Sequence, residues 1–156
     1  MTANNDKPSW VVRIPTPVWL IALVIVALVV DLAIKAPALL QHRPTGIALL
    51  VLGIALAGWG RLTFSRNGAE IFPWSETHST LVARGPFAYT RNPMYLGLVV
   101  TAAGAALTAG TWLMWLVPII VFTLDQFVII PFEERSMERA YGTAYNDYKA
   151  RVRRWI

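Results

Sequence analysis

The sequence predicts an all-α integral membrane protein. It has four transmembrane helices, the third and fourth forming a tight hairpin, and then a C-terminal amphipathic helix at the interface. Three observations carry that reading. Of 156 residues, 56% are hydrophobic and 15% charged, where a soluble domain carries about a quarter charged residues. The apolar residues are gathered into long segments. The Lys and Arg residues divide unevenly between the connections, as the positive-inside rule requires. Zero cysteines exclude disulfides, zinc–thiolate sites and thiol catalysis. His42 and His78 are too few for a multi-histidine metal site. The net charge of +5 flanks apolar segments and forms no nucleic-acid-binding stripe. A single domain, 1–156, is expected.

Residues 1–17 form a polar lead with Asp6, Lys7 and Arg13, and Trp10 and Trp19 bracket its approach to the bilayer. The first span covers about 17–34. Ala36-Pro37-Ala38 is similar to a signal-peptide cleavage site, but Asp31 and Lys35 interrupt the approach to it and further apolar segments follow, so a retained helix is expected. A loop with Pro37 and Pro44 leads to the second span, about 46–64. There Gly53, Ala57 and Gly60 recur at helical spacing and permit another helix to approach closely. Arg61, at the end of that span, can snorkel to the surface.

The connection 65–92 is polar and long, and loops of that length are usually functional or disordered. Its aromatics Phe72, Trp74, Phe87 and Tyr89 argue against disorder. From Met94 to Leu124 there is no charged residue. As one helix this stretch would span about 46 Å, against about 30 Å of hydrocarbon. Thr108-Ala109-Gly110-Thr111 is therefore read as a turn between spans of about 93–109 and 112–131. Four spans place every Lys and Arg except Lys35 and Arg43 on one side, so both termini, the connection and the tail are expected to be cytoplasmic. The tail, 133–156, carries an apolar stripe at helical period (Met137, Tyr141, Tyr145, Tyr148, Val152, Trp155) and reads as an interfacial helix bent at Gly142.

Chemistry-bearing residues gather at that cytoplasmic side. Asn92-Pro93 is a helix start, with Asn as N-cap and Pro at the first helical position. Arg91 and Tyr95 on that turn are a charge anchor and an interfacial aromatic, or part of a site. Glu133-Glu134 close the last span, where carboxylates oppose both the helix dipole and a negative membrane surface. They call for a cationic partner, either a ligand or a side chain such as Arg135 or a basic residue in the tail. The hairpin allows Asn92-Pro93-Met94-Tyr95 and Glu133-Glu134 to meet. Asp31 and Asp125 are carboxylates within membrane segments and hence candidates for function. Asp125 could line an acceptor tunnel or pair with Arg61. A small four-helix transporter coupled through Asp31 or Asp125 is the alternative from another class, but the concentration of unusual residues in the connection and the tail favours an enzyme.

The stretch Gly85-Pro86-Phe87-Ala88-Tyr89-Thr90-Arg91-Asn92-Pro93-Met94-Tyr95-Leu96-Gly97 resembles the signature of the isoprenylcysteine carboxyl methyltransferase and phospholipid methyltransferase superfamily. Glu133-Glu134, Tyr141 to Tyr145 and Tyr148 to Val152 resemble its second block. The likeness covers about 64–156 and is to the bacterial type. It implies an inner-membrane enzyme that uses S-adenosyl-L-methionine, with membrane lipid around it and a lipophilic or small methyl acceptor. A carboxylate acceptor is favoured, with a phospholipid amine as the alternative. The resemblance assigns the cofactor to Leu81, Val82, Phe87, Asn92, Pro93, Met94, Tyr95 and Glu133. Arg91, Gly97 and Glu134 are further candidates, and Asp125, Arg61, Tyr145 and Arg151 are candidates on the acceptor side. No βαβ pattern with a Gly-rich nucleotide loop is present, so the enzyme is not of Rossmann type. Two departures separate it from the prenylcysteine enzymes. Asn92 stands where they carry His, and Phe127 to Phe132 holds no cation before the acidic pair. A prenylcysteine substrate is therefore not carried over. Transfer to a carboxylate neutralises opposite charges and needs no general base, whereas an amine must first lose a proton. No catalytic base is assigned, His78 included.

Overall fold

The computed structural model describes residues 10–66 and 81–156. Asp6, Lys7, Phe72, Trp74 and His78 lie outside them. A single turn, α1 (Trp10–Arg13), leads through Pro15 into α2 (Thr16–Ile34). Then come α3 (Arg43–Arg66), α4 (Pro93–Ala109), α5 (Trp112–Leu124), α6 (Ile130–Tyr141) and α7 (Thr143–Arg151). The described residues contain no strand, only an isolated antiparallel bridge between Ala38 and Thr111. The all-α class follows from that.

Three helices are long and apolar enough to cross a membrane: Thr16–Ile34, Arg43–Arg66 and the continuous run Trp112–Tyr141. Large apolar side chains on them face outward, Leu32 at 81% and Phe127 at 70% exposure among them, as lipid-facing surfaces do. The chain is an integral membrane protein. Helix α4 is apolar but shorter, 17 residues.

One boundary differs from the expectation. The last segment does not stop at 131 but runs on as α6 to Tyr141. Pro131 would ordinarily break a helix, since it lacks an N–H and its ring crowds the carbonyl four residues back. A wider π-type turn over Asp125–Ile129 lies just before it and lets the helix continue with that carbonyl displaced. The hairpin turn is where the sequence placed it. Gly110 ends α4 in the left-handed region, φ +83°, which glycine alone adopts without cost. The Gln41 side chain donates to the carbonyls of Thr108 and Ala109 at 2.9 and 3.1 Å, satisfying the end of that helix.

The tightest packing joins α3 to α4. Glycines recur every seventh residue on α3 (Gly46, Gly53, Gly60) and on α4 (Gly97, Gly104). A Cβ on Gly53 would lie 2.5 Å from the Thr101 nitrogen, and one on Gly97 2.6 Å from the Ala57 nitrogen. The backbones therefore touch, as small-residue seams allow. Helix α2 packs on α5 through a core of Leu20, Ala27, Met114, Val117 and Val121, with Ala102 and Ala106 of α4 beneath. A threonine–aspartate hydrogen bond marks each end of that contact. Thr16 donates to Asp125 at 3.0 Å, and Thr111 donates to Asp31.

Candidate functional site

The signature stretch folds as a compact corner. Residues Gly85–Ala88 make one 3₁₀ turn, Pro86 and Phe87 are buried, and Asn92 stands at the N-cap position of α4 with Pro93 in its first turn. The Asn92 side chain does not cap the helix. Its amide instead donates to the Arg154 carbonyl at 3.0 Å, and Thr90 donates to the same carbonyl at 3.1 Å. Arg91 extends the pattern. Its backbone N–H donates to the Arg153 carbonyl at 2.9 Å, and its guanidinium donates to the carbonyls of Val152 at 2.6 Å and Lys149 at 3.3 Å. Three consecutive residues of the signature thus hold the C-terminal strap by its backbone. An apolar stripe cannot reveal that contact, because it is made to carbonyls and not to side chains.

The two adjacent glutamates have different surroundings. Glu134 is buried and receives Arg91 at 2.7 Å and Arg154 at 2.5 Å, so two guanidinium groups neutralise it. Glu133 accepts the Tyr95 hydroxyl at 2.6 Å and has no cationic partner among the described residues. The hairpin therefore does bring the start of α4 to Glu133-Glu134. The basic side chains that answer Glu134 are Arg91 and, from the tail as one expectation had it, Arg154, and not Arg135.

Beside Tyr95 and Glu133 lies a cavity of about 460 Å³. Its walls come from the α1–α2 corner (Val12, Ile14, Pro15, Thr16, Pro17), from α3 (Ile54, Ala57, Gly58, Arg61), from α4 (Met94, Tyr95, Leu98, Thr101) and from Ile129 and Glu133. Most of the lining surface is apolar, with Thr16, Arg61, Tyr95, Thr101 and Glu133 as its polar members. A pocket of that size with a few convergent polar groups is the usual form of a small-ligand site.

The remaining candidates fall in other places. Leu81 is half-buried and Val82 buried. Phe87 packs on Phe64, ring centroids 5.8 Å apart. Gly97 does not reach the cavity, because its open side is filled by the α3 backbone. Asp125 is fully buried and its described partner is Thr16, not Arg61. Arg151 is exposed and turns back to the Asp147 carbonyl of its own helix. Tyr145 is buried against Tyr148, and burial holds its phenol above the ordinary range. Burial likewise pushes the Tyr148 phenol up to about 12, so it stays protonated and donates to the Phe87 carbonyl at 2.7 Å. Trp155 donates to Gln126 at 2.7 Å and stacks on Phe122. The tail stripe therefore includes residues that dock on the protein. Sequence reasoning missed Thr16, which reads as an ordinary helix start after Pro15, and did not say which basic residue of the tail, Arg154, meets the acidic pair.

These features define a helical membrane protein with a signature corner, a neutralised carboxylate under the tail, and an unneutralised one on an apolar cavity. The family model described as phospholipid methyltransferase matches residues 42–144. The chain belongs to that family. The Methanethiol S-methyltransferase 1 of Bradyrhizobium diazoefficiens is 30% identical over 120 residues, 68% of this chain and 41% of that protein. An uncharacterized protein of Haemophilus influenzae is 39% identical over 64 residues, 40% of this chain and 100% of that protein. The chain thus spans less than half the length of the first of these relatives. No solved structure matches it.

Proposed function

We propose that this protein transfers a methyl group from S-adenosyl-L-methionine to a lipophilic or small acceptor at the cytoplasmic face of the membrane. The observation that carries the reading is Glu133. It is a carboxylate held by a neutral phenol at the edge of an apolar cavity, and it has no cation among the described residues. Such a group suits a cationic ligand, and the aromatic and aliphatic groups around it suit a sulfonium. The residues present therefore fit the cofactor. Tyr95, Met94 and Glu133 would hold its charged end, with Leu81, Val82 and Phe87 on the signature side. When bound, it supplies an electrophilic methyl group. Arg91, Asn92 and Glu134 serve by fixing the tail against the signature corner.

In this proposal α2, α3, α4 and the run from Trp112 cross the membrane with both termini cytoplasmic. The near-total gathering of cations at that side supports the topology. The family description supports a phospholipid amine as acceptor, and the name of the Bradyrhizobium relative supports a small thiol. The transporter reading gains less support. Asp31 and Asp125 are each bonded by a threonine across the α2–α5 contact, an arrangement that ties helices together.

Calorimetry of S-adenosylmethionine and S-adenosylhomocysteine binding to the detergent-purified chain tests the proposal. Saturable binding, weakened in Glu133→Gln and Tyr95→Ala, is expected. No binding by folded wild-type protein would overturn it.

A further inference from the structure

The last residues of the tail do not stay level with its charges. Arg154 reaches Glu134, but the next residue, Trp155, donates its indole N–H to the Gln126 side chain at 2.7 Å and packs on Phe122, ring centroids 5.1 Å apart. Gln126 and Phe122 precede Glu134 by eight and twelve residues. They therefore stand about 12 and 18 Å from it along the helix, toward the start of the run at Trp112. That is the apolar part of a run long enough to cross a membrane. Ile119, Phe122 and Gln126 share one face of it at helical spacing, and Ile119 and Phe122 are exposed there, as is the neighbouring Phe127. Ile156, beyond Trp155, is 82% exposed.

Hydrocarbon offers no partner to a polar group, so each must be met within the protein. The strap meets that condition as it descends. The carbonyls of Val152, Arg153 and Arg154 accept from Arg91, Thr90 and Asn92, while the indole N–H and the Gln126 oxygen satisfy each other. Arg151 and Arg153 are exposed and come before the descent, where anionic headgroups attract cations. A tail lying flat along the interface would leave the Gln126 oxygen facing hydrocarbon without the indole. We propose that Trp155 and Ile156 re-enter the hydrocarbon of the leaflet that holds the signature corner, and that lipid is the partner of this end of the tail. The indole then anchors the strap, keeping Arg154 on Glu134 and the strap carbonyls on the corner. None of this depends on methyl transfer.

Because the chain has no cysteine, a nitroxide attached at Ile156→Cys reports one position. The full chain is reconstituted into vesicles of phosphatidylcholine and phosphatidylglycerol. Collision of the label with oxygen, which concentrates in hydrocarbon, is compared with collision with a water-soluble nickel chelate. Phe127→Cys on the outward face of the last span and Asp147→Cys, exposed on α7, are the references. The oxygen-to-nickel ratio at 156 should lie within about twofold of that at 127 and at least about tenfold above that at 147, because water is excluded from the bilayer core. Trp155→Ala should release the label, lowering its ratio to that at 147, and should speed protease cleavage within 149–156. A ratio at 156 nearer to that at 147 than to that at 127, with Trp155 in place, would overturn the proposal whatever the variant does. So would a label that stays in lipid in folded Trp155→Ala protein.

Discussion

Helix α3 carries glycines toward two unlike neighbours. Gly53 presses on the backbone of α4, where an added Cβ would stand 2.5 Å from a peptide nitrogen, whereas Gly58, little more than a turn later, meets nothing within 4 Å. Both remove a side chain from an apolar helix. One absence is filled by another helix and makes a seam, while the other is left open and makes part of a cavity. A small residue in a membrane helix therefore reports either close packing or room for a ligand, and the neighbour decides which.

The largest effect that would break this comparison is on the seam. Gly53→Leu forces the helices apart and is expected to cost about 3 kcal/mol, the upper range of overpacking, seen as a fall in melting temperature in detergent. If it melts like wild type, the seam is not rigid.

The polar closure under the tail comes next. Glu134→Gln leaves two guanidinium groups without their carboxylate. Because Arg154 is 30% exposed, solvent screening reduces the loss to about 2 kcal/mol. Protease cleavage within 149–156 should become faster. Thr16→Val removes the described hydrogen bond to buried Asp125, and an unsatisfied buried acceptor costs about 1–2 kcal/mol. Its signature is a lower melting temperature that is not restored by salt.

Tyr148→Phe is smaller. It deletes the bond to the Phe87 carbonyl, worth about 1 kcal/mol. The sign with pH follows from the raised phenol. Protonated tyrosine is the form that folding favours, so this contribution is whole below the ordinary tyrosine range and is lost as pH rises toward about 12. Stability measured between pH 9 and 11 should fall less in the phenylalanine variant. Gly58→Leu should move stability least, within about 1 kcal/mol and toward a gain, since leucine is the better helix former. A large loss there would mean that the cavity closes in the membrane.

The apolar segments, the hairpin turn at Gly110 and the close approach at Gly53 and Gly97 follow from local physics, because hydrophobicity, helical period and missing side chains are written residue by residue. The signature corner and its meeting with the acidic pair were legible as well, because a helical hairpin brings the far ends of its two arms back together. Asn92 was legible as a helix boundary but not in its use, since its amide reaches a carbonyl 62 residues away in sequence.

What the sequence by itself determined is that two carboxylates end a membrane helix beside an aromatic signature and that such a pair must be answered by cations. Only the tertiary structure decided how the pair divides. Successive residues on a helix point about 100° apart, so Glu134 turns to Arg91 and Arg154 while Glu133 turns to Tyr95 and the cavity. The two letters are identical. Their surroundings, set by a tail strap and a gap between helices, separate the one that is neutralised from the one left to meet a ligand.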